Sequence, residues 1–277
     1  MNKREVSGEV SKMSKKNKSR DDKKNKNRKE CFEDSQHGKG KVAPPIKAKN
    51  GFQRKLLNAL RTMQIVVCDA PAGVGKSTIT MSHIIDKYVG KDISNIKLSR
   101  PAVGMGNSLG LLKGSLEEKY EPYLLPLIDV VRKRYGYGLY QTGLRNGNIE
   151  LLALEYARGR NIEEGEVLIL DEAQNTTPDE CYSIITRVCD GGQLIIIGDR
   201  TQKDLKGMSG LEWVEKFINR HGLQDTMCVV KSTSEDIVRG SICKEVVKAK
   251  ELDVTQGYDY YKGIATKDST TGEYYEE

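Results

Sequence analysis

Six residues of this chain have the types and the order of a phosphate-transfer site: Lys76, Ser77, Asp171, Glu172, Gln202 and Arg239. Lys76 and Ser77 end the run Ala70-Pro71-Ala72-Gly73-Val74-Gly75-Lys76-Ser77-Thr78. A loop of small residues running into a helix lets backbone N–H groups curl around a phosphate chain, and the helix N-terminus adds free donors and partial positive charge. In that setting Lys76 reaches the β- and γ-phosphates and the Ser77 hydroxyl ligates Mg²⁺. Asp171 suits the second position on the metal, held through water. Glu172, directly beside it, suits orienting and deprotonating an attacking water. The strict form of the loop has glycine where Ala70 stands; alanine is the smallest replacement, and Gly73 and Gly75 remain.

The elements that must position these groups follow from hydrophobic pattern. Ile65-Val66-Val67-Cys68 reads as a buried strand feeding the loop, and Thr78–Tyr88 as the helix leaving it. Gly51–Leu60 has helical spacing just upstream. It carries Gln53, whose amide can match both the donor and the acceptor edge of adenine; an ordinary surface glutamine on an amphipathic helix is the favoured reading at this point. Asn95–Ser99 reads as a strand delivering Arg100 to its carboxyl end, the rim at which α/β sheets bind ligands. The Pro- and Gly-rich stretch from Pro101 to Gly110 reads as a loop, and a helix is expected from Leu116. Tyr135–Tyr140 reads as a flexible aromatic loop beside Arg132-Lys133-Arg134. Such a pairing stacks bases in some proteins, but loop anchoring is the preferred reading. Asn148–Ala153 is a further strand. Within Glu166–Glu172, the four apolar residues Val167–Leu170 read as a buried parallel strand that ends on Asp171 and Glu172. Thr177 and Pro178 start a helix expected to reach Cys189. Gln193–Gly198 is a strand ending on Asp199-Arg200-Thr201-Gln202, where Gln202 is placed to touch a γ-phosphate or its water. A helix over Ser209–Arg220, a strand over Met227–Val230 and a final helix after Arg239 complete the pattern. Alternating strands and helices predict an α/β fold, a parallel sheet with helices on both faces.

The chain has 277 residues and a net charge of +6. That charge is concentrated at one end. Residues 1–50 hold 16 Lys+Arg against 7 Asp+Glu, and the remainder holds 29 against 32. Residues 1–49 therefore read as a disordered basic tail, of a composition that attracts nucleic acid or is simply solvated. Residues 50–252 read as the domain, and 253–277 as a loose C-terminal tail. Six cysteines without a C-x-x-C pair and three scattered histidines argue against zinc and disulfides. No secretory signal or membrane-length apolar run is read, which points to a cytoplasmic protein with no membrane partner.

Several runs together carry a family likeness: Ala70–Ser77, Arg100-Pro-Ala-Val103, Leu116–Tyr123, Ala157-Arg-Gly-Arg160, Leu170-Asp-Glu-Ala-Gln-Asn-Thr-Thr-Pro178, Gly198-Asp-Arg-Thr-Gln202 and Asp236-Ile-Val-Arg239. Over roughly residues 50–251 the chain resembles the PhoH family, the phosphate-starvation-inducible P-loop ATPases of bacteria and phages. That resemblance implies a RecA-like fold similar to the first motor domain of superfamily 1 helicases. It also implies binding and hydrolysis of ATP with Mg²⁺, self-association into a ring (a hexamer among the sizes) and a link to RNA or other single-stranded nucleic acid. It favours Gln53 as an adenine contact and Ala70–Thr78 as the nucleotide loop. The chain departs from the family at Leu112–Ser115, at the short stretch Asp204–Gly210, and at Gly240-Ser241 after Arg239.

The leading expectation is an ATPase in which Lys76 stabilises transferred phosphate, Ser77 and Asp171 hold Mg²⁺, Glu172 activates water and Gln202 senses the γ-phosphate. Arg239 is expected as an arginine finger supplied by a neighbouring subunit; pairing with an acid of the final helix is the alternative. Two other classes remain open at this point: a nucleotide-gated RNA-binding module with negligible turnover, and a P-loop kinase.

Overall fold

The computed structural model describes residues 43–101, 116–256, 265–267 and 274–276. The expectations for the first 42 residues, for the loop after Pro101 and for Leu112–Ser115 lie outside the described residues. The helix α1 (Gly51–Thr62) opens the domain. It is followed by β1 (Ile65–Asp69), α2 (Lys76–Val89), β2 (Asn95–Arg100), α3 (Leu116–Tyr135), α4 (Tyr137–Arg145), β3 (Ile149–Ala153) and α5 (Leu154–Ala157). Next come β4 (Glu166–Leu170), α6 (Pro178–Ile185), β5 (Gln193–Gly198), α7 (Gly210–His221), β6 (Met227–Lys231) and α8 (Ser241–Gln256). Short 3₁₀ turns sit at Ala173–Asn175, Arg200–Gln202 and Ser234–Asp236.

Strands β1 to β6 form one sheet in the order β3-β2-β4-β5-β1-β6. All its pairings are parallel, as the apolar strands predict. Alternate residues feed two cores. Val66, Cys68, Ile96, Leu98, Ile169 and Ile195 face one side with α1, α2 and α3. Val67, Leu168, Leu170, Leu194 and Ile196 face the other with α6 and α7. β5 separates the loop strand β1 from β4. In register, Ile196 pairs with Val67 on one side and Leu170 on the other. The turn after β5 therefore emerges between the phosphate loop and the Asp171–Glu172 pair.

Four stretches differ from the sequence expectation. Tyr137–Tyr140, expected within a flexible loop, instead opens a helix that runs to Arg145. The two glycines weaken local propensity, but packing overrides it. A β-carbon on Gly143 would lie 2.6 Å from Ile149 Cδ1, so only glycine lets this helix rest on β3. α6 stops at Ile185 because the chain then turns back to bond β-fashion, with the Cys189 N–H donating to the Ile162 carbonyl. Ile46 and Ala48 pack against the first core, so the end of the basic stretch is docked. Beyond Asp253, α8 continues to Gln256, and a short antiparallel pair joins 265–267 to 274–276.

Candidate nucleotide site

The loop between β1 and α2 owes its shape to two glycines. Gly73 and Gly75 take φ of 87° and 89°, in the left-handed range that disfavours other residues. A β-carbon at Gly73 would also lie 3.0 Å from Cys243 Sγ, so a larger residue there lacks both the torsional freedom and the space. Gly75 caps α2 without any side-chain hydrogen bond, and the helix begins at Lys76, two residues earlier than its pattern indicated. The first-turn N–H groups are thus left without a side-chain acceptor from the cap. Ala70 needs no glycine. It is buried, lies outside the left-handed region, and its N–H donates to the Gly198 carbonyl at 3.0 Å. The Lys76 ammonium lies back over the loop, 3.5 Å from the Pro71 carbonyl oxygen.

Gln53 stands beside this loop and is bonded to it. Its Nε2 donates to the Val74 carbonyl at 2.9 Å, its Oε1 accepts from the Lys49 N–H at 2.8 Å, and the side chain is buried. Each end of the amide has one backbone partner, so Gln53 braces the loop, and these bonds leave its second N–H and its second lone pair unused. The sequence could not reveal this, because both partners are main-chain atoms.

Across β5, β4 ends on Asp171, which is buried, with its N–H bonded to the Ser99 carbonyl at 2.8 Å. Burial and then the adjacent Glu172 charge push its carboxyl up to about 6, against the opposing influence of Arg100 and Lys76. Lys76 thus acts electrostatically on Asp171 although the two are far apart in sequence. Glu172 takes φ 53° and ψ 38°, a left-handed conformation uncommon for a side chain with a β-carbon. Such strain persists where the surroundings fix it, and here they do. Gln174 Nε2 donates to Glu172 Oε2 at 2.5 Å, and the Arg100 guanidinium lies 3.8 Å from Oε1. Arg100 is itself held. Its Nη1 donates to the Tyr123 carbonyl at 2.9 Å, and its N–H to the buried Tyr120 hydroxyl at 2.6 Å.

Gln174 is the residue whose role the sequence did not expose. Fully buried, it accepts the Asp199 N–H on Oε1 at 3.0 Å while holding Glu172 with Nε2. It therefore ties the end of β4 to the turn after β5. A β-carbon on Gly198 would sit 2.8 Å from Gln174 Oε1, which explains the glycine there. Asp199 Oδ2 accepts from Gln202 Nε2 at 2.5 Å, and Oδ1 from the Thr201 hydroxyl at 2.6 Å. Gln202 is exposed at the rim. A second tie runs from Arg200 in the same turn to Asp69 at the end of β1 and to Glu215.

The remaining sequence expectations separate. Ser77 and Thr78 lie in the first turn of α2, Ser77 half-buried and Thr78 exposed. Arg239 lies two residues before α8, against the phosphate loop of its own chain. The Tyr135–Tyr140 aromatics are engaged internally: the Arg132 guanidinium covers the rings of Tyr137 and Tyr140 at 4.9 and 5.2 Å, and Arg134 and Tyr135 both bind Asp86. This favours the anchoring reading. Among the described residues no group of three acids, cysteines or histidines forms a metal cage. A Mg²⁺ shared by one hydroxyl, one carboxylate, water and phosphates needs none, and the Ser77–Asp171 donor set suits that ion. No described helix is long and apolar enough to cross a membrane.

Comparison with known proteins agrees with the family likeness. The "PhoH-like protein" of Bacillus subtilis (strain 168) is 36% identical over 217 residues, covering 78% of this chain and 66% of that protein. "Protein PhoH" of Escherichia coli (strain K12) is 34% identical over 209 residues, covering 74% and 58%. The chain thus spans less than two thirds of the length of these relatives. Among solved structures, the large terminase of a thermophilic bacteriophage aligns with a TM-score of 0.40 at 11% identity, over 73% of this chain and 49% of that one. The Pyrococcus furiosus Hef helicase domain aligns at 0.39 and 12%, over 68% and 40%. The profile of the family described as PhoH-like protein matches residues 45–251, so this chain, with its six-stranded parallel sheet, belongs to the PhoH-like family.

Proposed function

We propose that this chain is a Mg²⁺-dependent ATPase. The observation that carries the reading is the convergence at one sheet rim of a glycine-shaped phosphate loop, a buried acid of raised pKa and a conformationally fixed glutamate. Lys76 and the α2 N–H groups hold the phosphates, Ser77 and Asp171 hold the metal, and Glu172 orients and deprotonates water. Bound Mg²⁺ supplies charge neutralisation at the phosphate oxygens. Gln174 and Arg100 fix the Glu172 carboxylate, and Asp199 aims Gln202. A glutamate so fixed beside the metal acid supports water as the acceptor, and so hydrolysis over a kinase reaction.

The work coupled to hydrolysis is proposed as RNA binding or remodelling, supported by the +9 balance of residues 1–50. Self-association into a ring and a cytoplasmic location belong to the same reading. The test is phosphate release measured with and without Mg²⁺ and with and without single-stranded RNA. Mg²⁺-dependent release that RNA accelerates is expected. Tight ATP binding without release, in either condition, leaves the nucleotide-gated binding module as the better account.

A further inference from the structure

We propose that Arg239 is a phosphate ligand for the nucleotide bound by its own chain, an inference that rests on the ATPase reading above. Sequence order alone suggests donation to a neighbouring subunit. The geometry points elsewhere.

The segment from Thr233 to Gly240 is fastened across the phosphate loop. Its 3₁₀ turn is closed by a reciprocal capping box between Thr233 and Asp236. The Asp236 carbonyl accepts from Asn50 Nδ2 at 2.6 Å, which joins it to the start of α1. Ile237 is buried. The Val238 N–H then donates to the Gly73 carbonyl at 3.1 Å, a direct bond to the middle of the loop. Arg239 comes next. A β-carbon placed on Gly73 would lie 3.2 Å from Arg239 Cβ, so the arginine stem starts in contact range of the loop backbone.

Its guanidinium is uncommitted. Arg239 is exposed, and among the described residues no acid pairs with it. The acids of the segment are engaged elsewhere: Glu235 binds Lys244 and Lys248, and Asp236 accepts from the Thr233 N–H. Other arginines of this rim are tethered, Arg100 to Tyr123 and Glu172, and Arg200 to Asp69 and Glu215. A free guanidinium rooted on the phosphate loop is placed to bond phosphate oxygens and to add positive charge as the γ-phosphate leaves.

The test compares the full-length chain with Arg239→Ala and Arg239→Lys, with thermal unfolding as the folding control. For a non-hydrolysable ATP analogue, Arg239→Ala is expected to lose about 10–100-fold in affinity, the worth of one charged hydrogen bond. Turnover falls further, on the order of 10³-fold, the scale of arginine contacts in phosphoryl transfer. Arg239→Lys recovers part of both. Equimolar Arg239→Ala and Lys76→Ala, incubated under conditions in which labelled subunits are shown to exchange or to stay monomeric, give only the sum of their separate activities. Recovery on mixing overturns the assignment in favour of a neighbour's site. So does wild-type affinity and turnover in Arg239→Ala. The wild-type arm tests the parent reading separately: a chain that binds the analogue but releases no phosphate refutes the ATPase while the affinity comparison still decides Arg239, and a chain that binds no analogue refutes both.

Discussion

The two walls of the candidate site are built by different means. The phosphate-loop wall is made of backbone: two glycines in left-handed conformation, an uncapped helix start, and carbonyls of Gly73 and Val74 held by Val238 and Gln53. The acid wall is made of side chains: Gln174, Arg100, Asp199 and Tyr120 fix one another around Glu172 and Gln202. A backbone cradle is complete before ligand arrives and serves binding. A side-chain network sets the aim of individual groups and serves turnover. Substitutions on the two walls should therefore separate affinity from rate.

The largest effect sets the comparison at its sharpest. Lys76→Ala should abolish measurable phosphate release and weaken ATP binding, whereas Glu172→Gln should keep binding and lose about 10²–10⁴ in rate, as expected for a general base. Equilibrium binding of a fluorescent ATP analogue beside a phosphate-release assay reads both quantities. If Glu172→Gln loses affinity as severely as rate, the division between the walls fails.

Asp171 gives the next effect, and it has a sign. Its folded-state pKa of about 6 lies above the ordinary 3.8, so protonation favours the folded, nucleotide-free chain. That contribution is complete below about pH 4 and is lost as pH rises through 6. Mg²⁺ needs the ionised form, so Mg²⁺-dependent nucleotide affinity should weaken about tenfold per pH unit below 6. Asp171→Asn should remove Mg²⁺ dependence yet raise the stability of the nucleotide-free chain at pH 7.5, by at most about 3 kcal/mol. Denaturant melts at pH 5 and 7.5 check this; a variant destabilised equally at both would show that the carboxylate is not strained by burial.

Gln174→Ala probes the acid wall without touching a reacting atom. It should lower turnover about 10–100-fold with affinity nearly unchanged, and cost about 1–3 kcal/mol of stability from the Asp199 N–H left unpaired. Gln174→Met, which refills the buried volume but restores neither amide bond, should regain part of the stability without regaining rate. Steady-state kinetics and thermal melts distinguish this from a purely structural role, for which rate and stability would recover together.

The smallest effect is expected on the phosphate-loop wall itself. Ala70→Gly restores the strict loop pattern but relieves no strain, because Ala70 is outside the left-handed region and its side chain is buried. Affinity should change by less than about threefold and stability should fall by no more than about 1 kcal/mol. A large gain in affinity would show that alanine distorts the cradle.

Much of this was legible in the residues because its causes are local. An apolar run, small turn residues and a following helix start specify the phosphate loop between Gln64 and Thr78, and Glu166–Glu172 announces a buried strand ending in acids. The alternation of such units fixes a parallel α/β sheet. What tertiary structure alone decided are pairings between distant segments. β5 was free by pattern to lie anywhere in the sheet; packing inserted it between β1 and β4, which brings Gln202 between loop and acids. The bond from Gln53 Nε2 to the Val74 carbonyl could not be read from the residues, and Tyr135–Tyr140 looked like a loop until Gly143 settled on Ile149. The bond from the Val238 N–H to the Gly73 carbonyl, which roots Arg239 beside the loop, was equally invisible in the spacing. In each case the deciding partner is a main-chain group or a close contact from another segment. Residue type and spacing set what a segment can form by itself; which backbone atoms it meets depends on how the whole sheet packs.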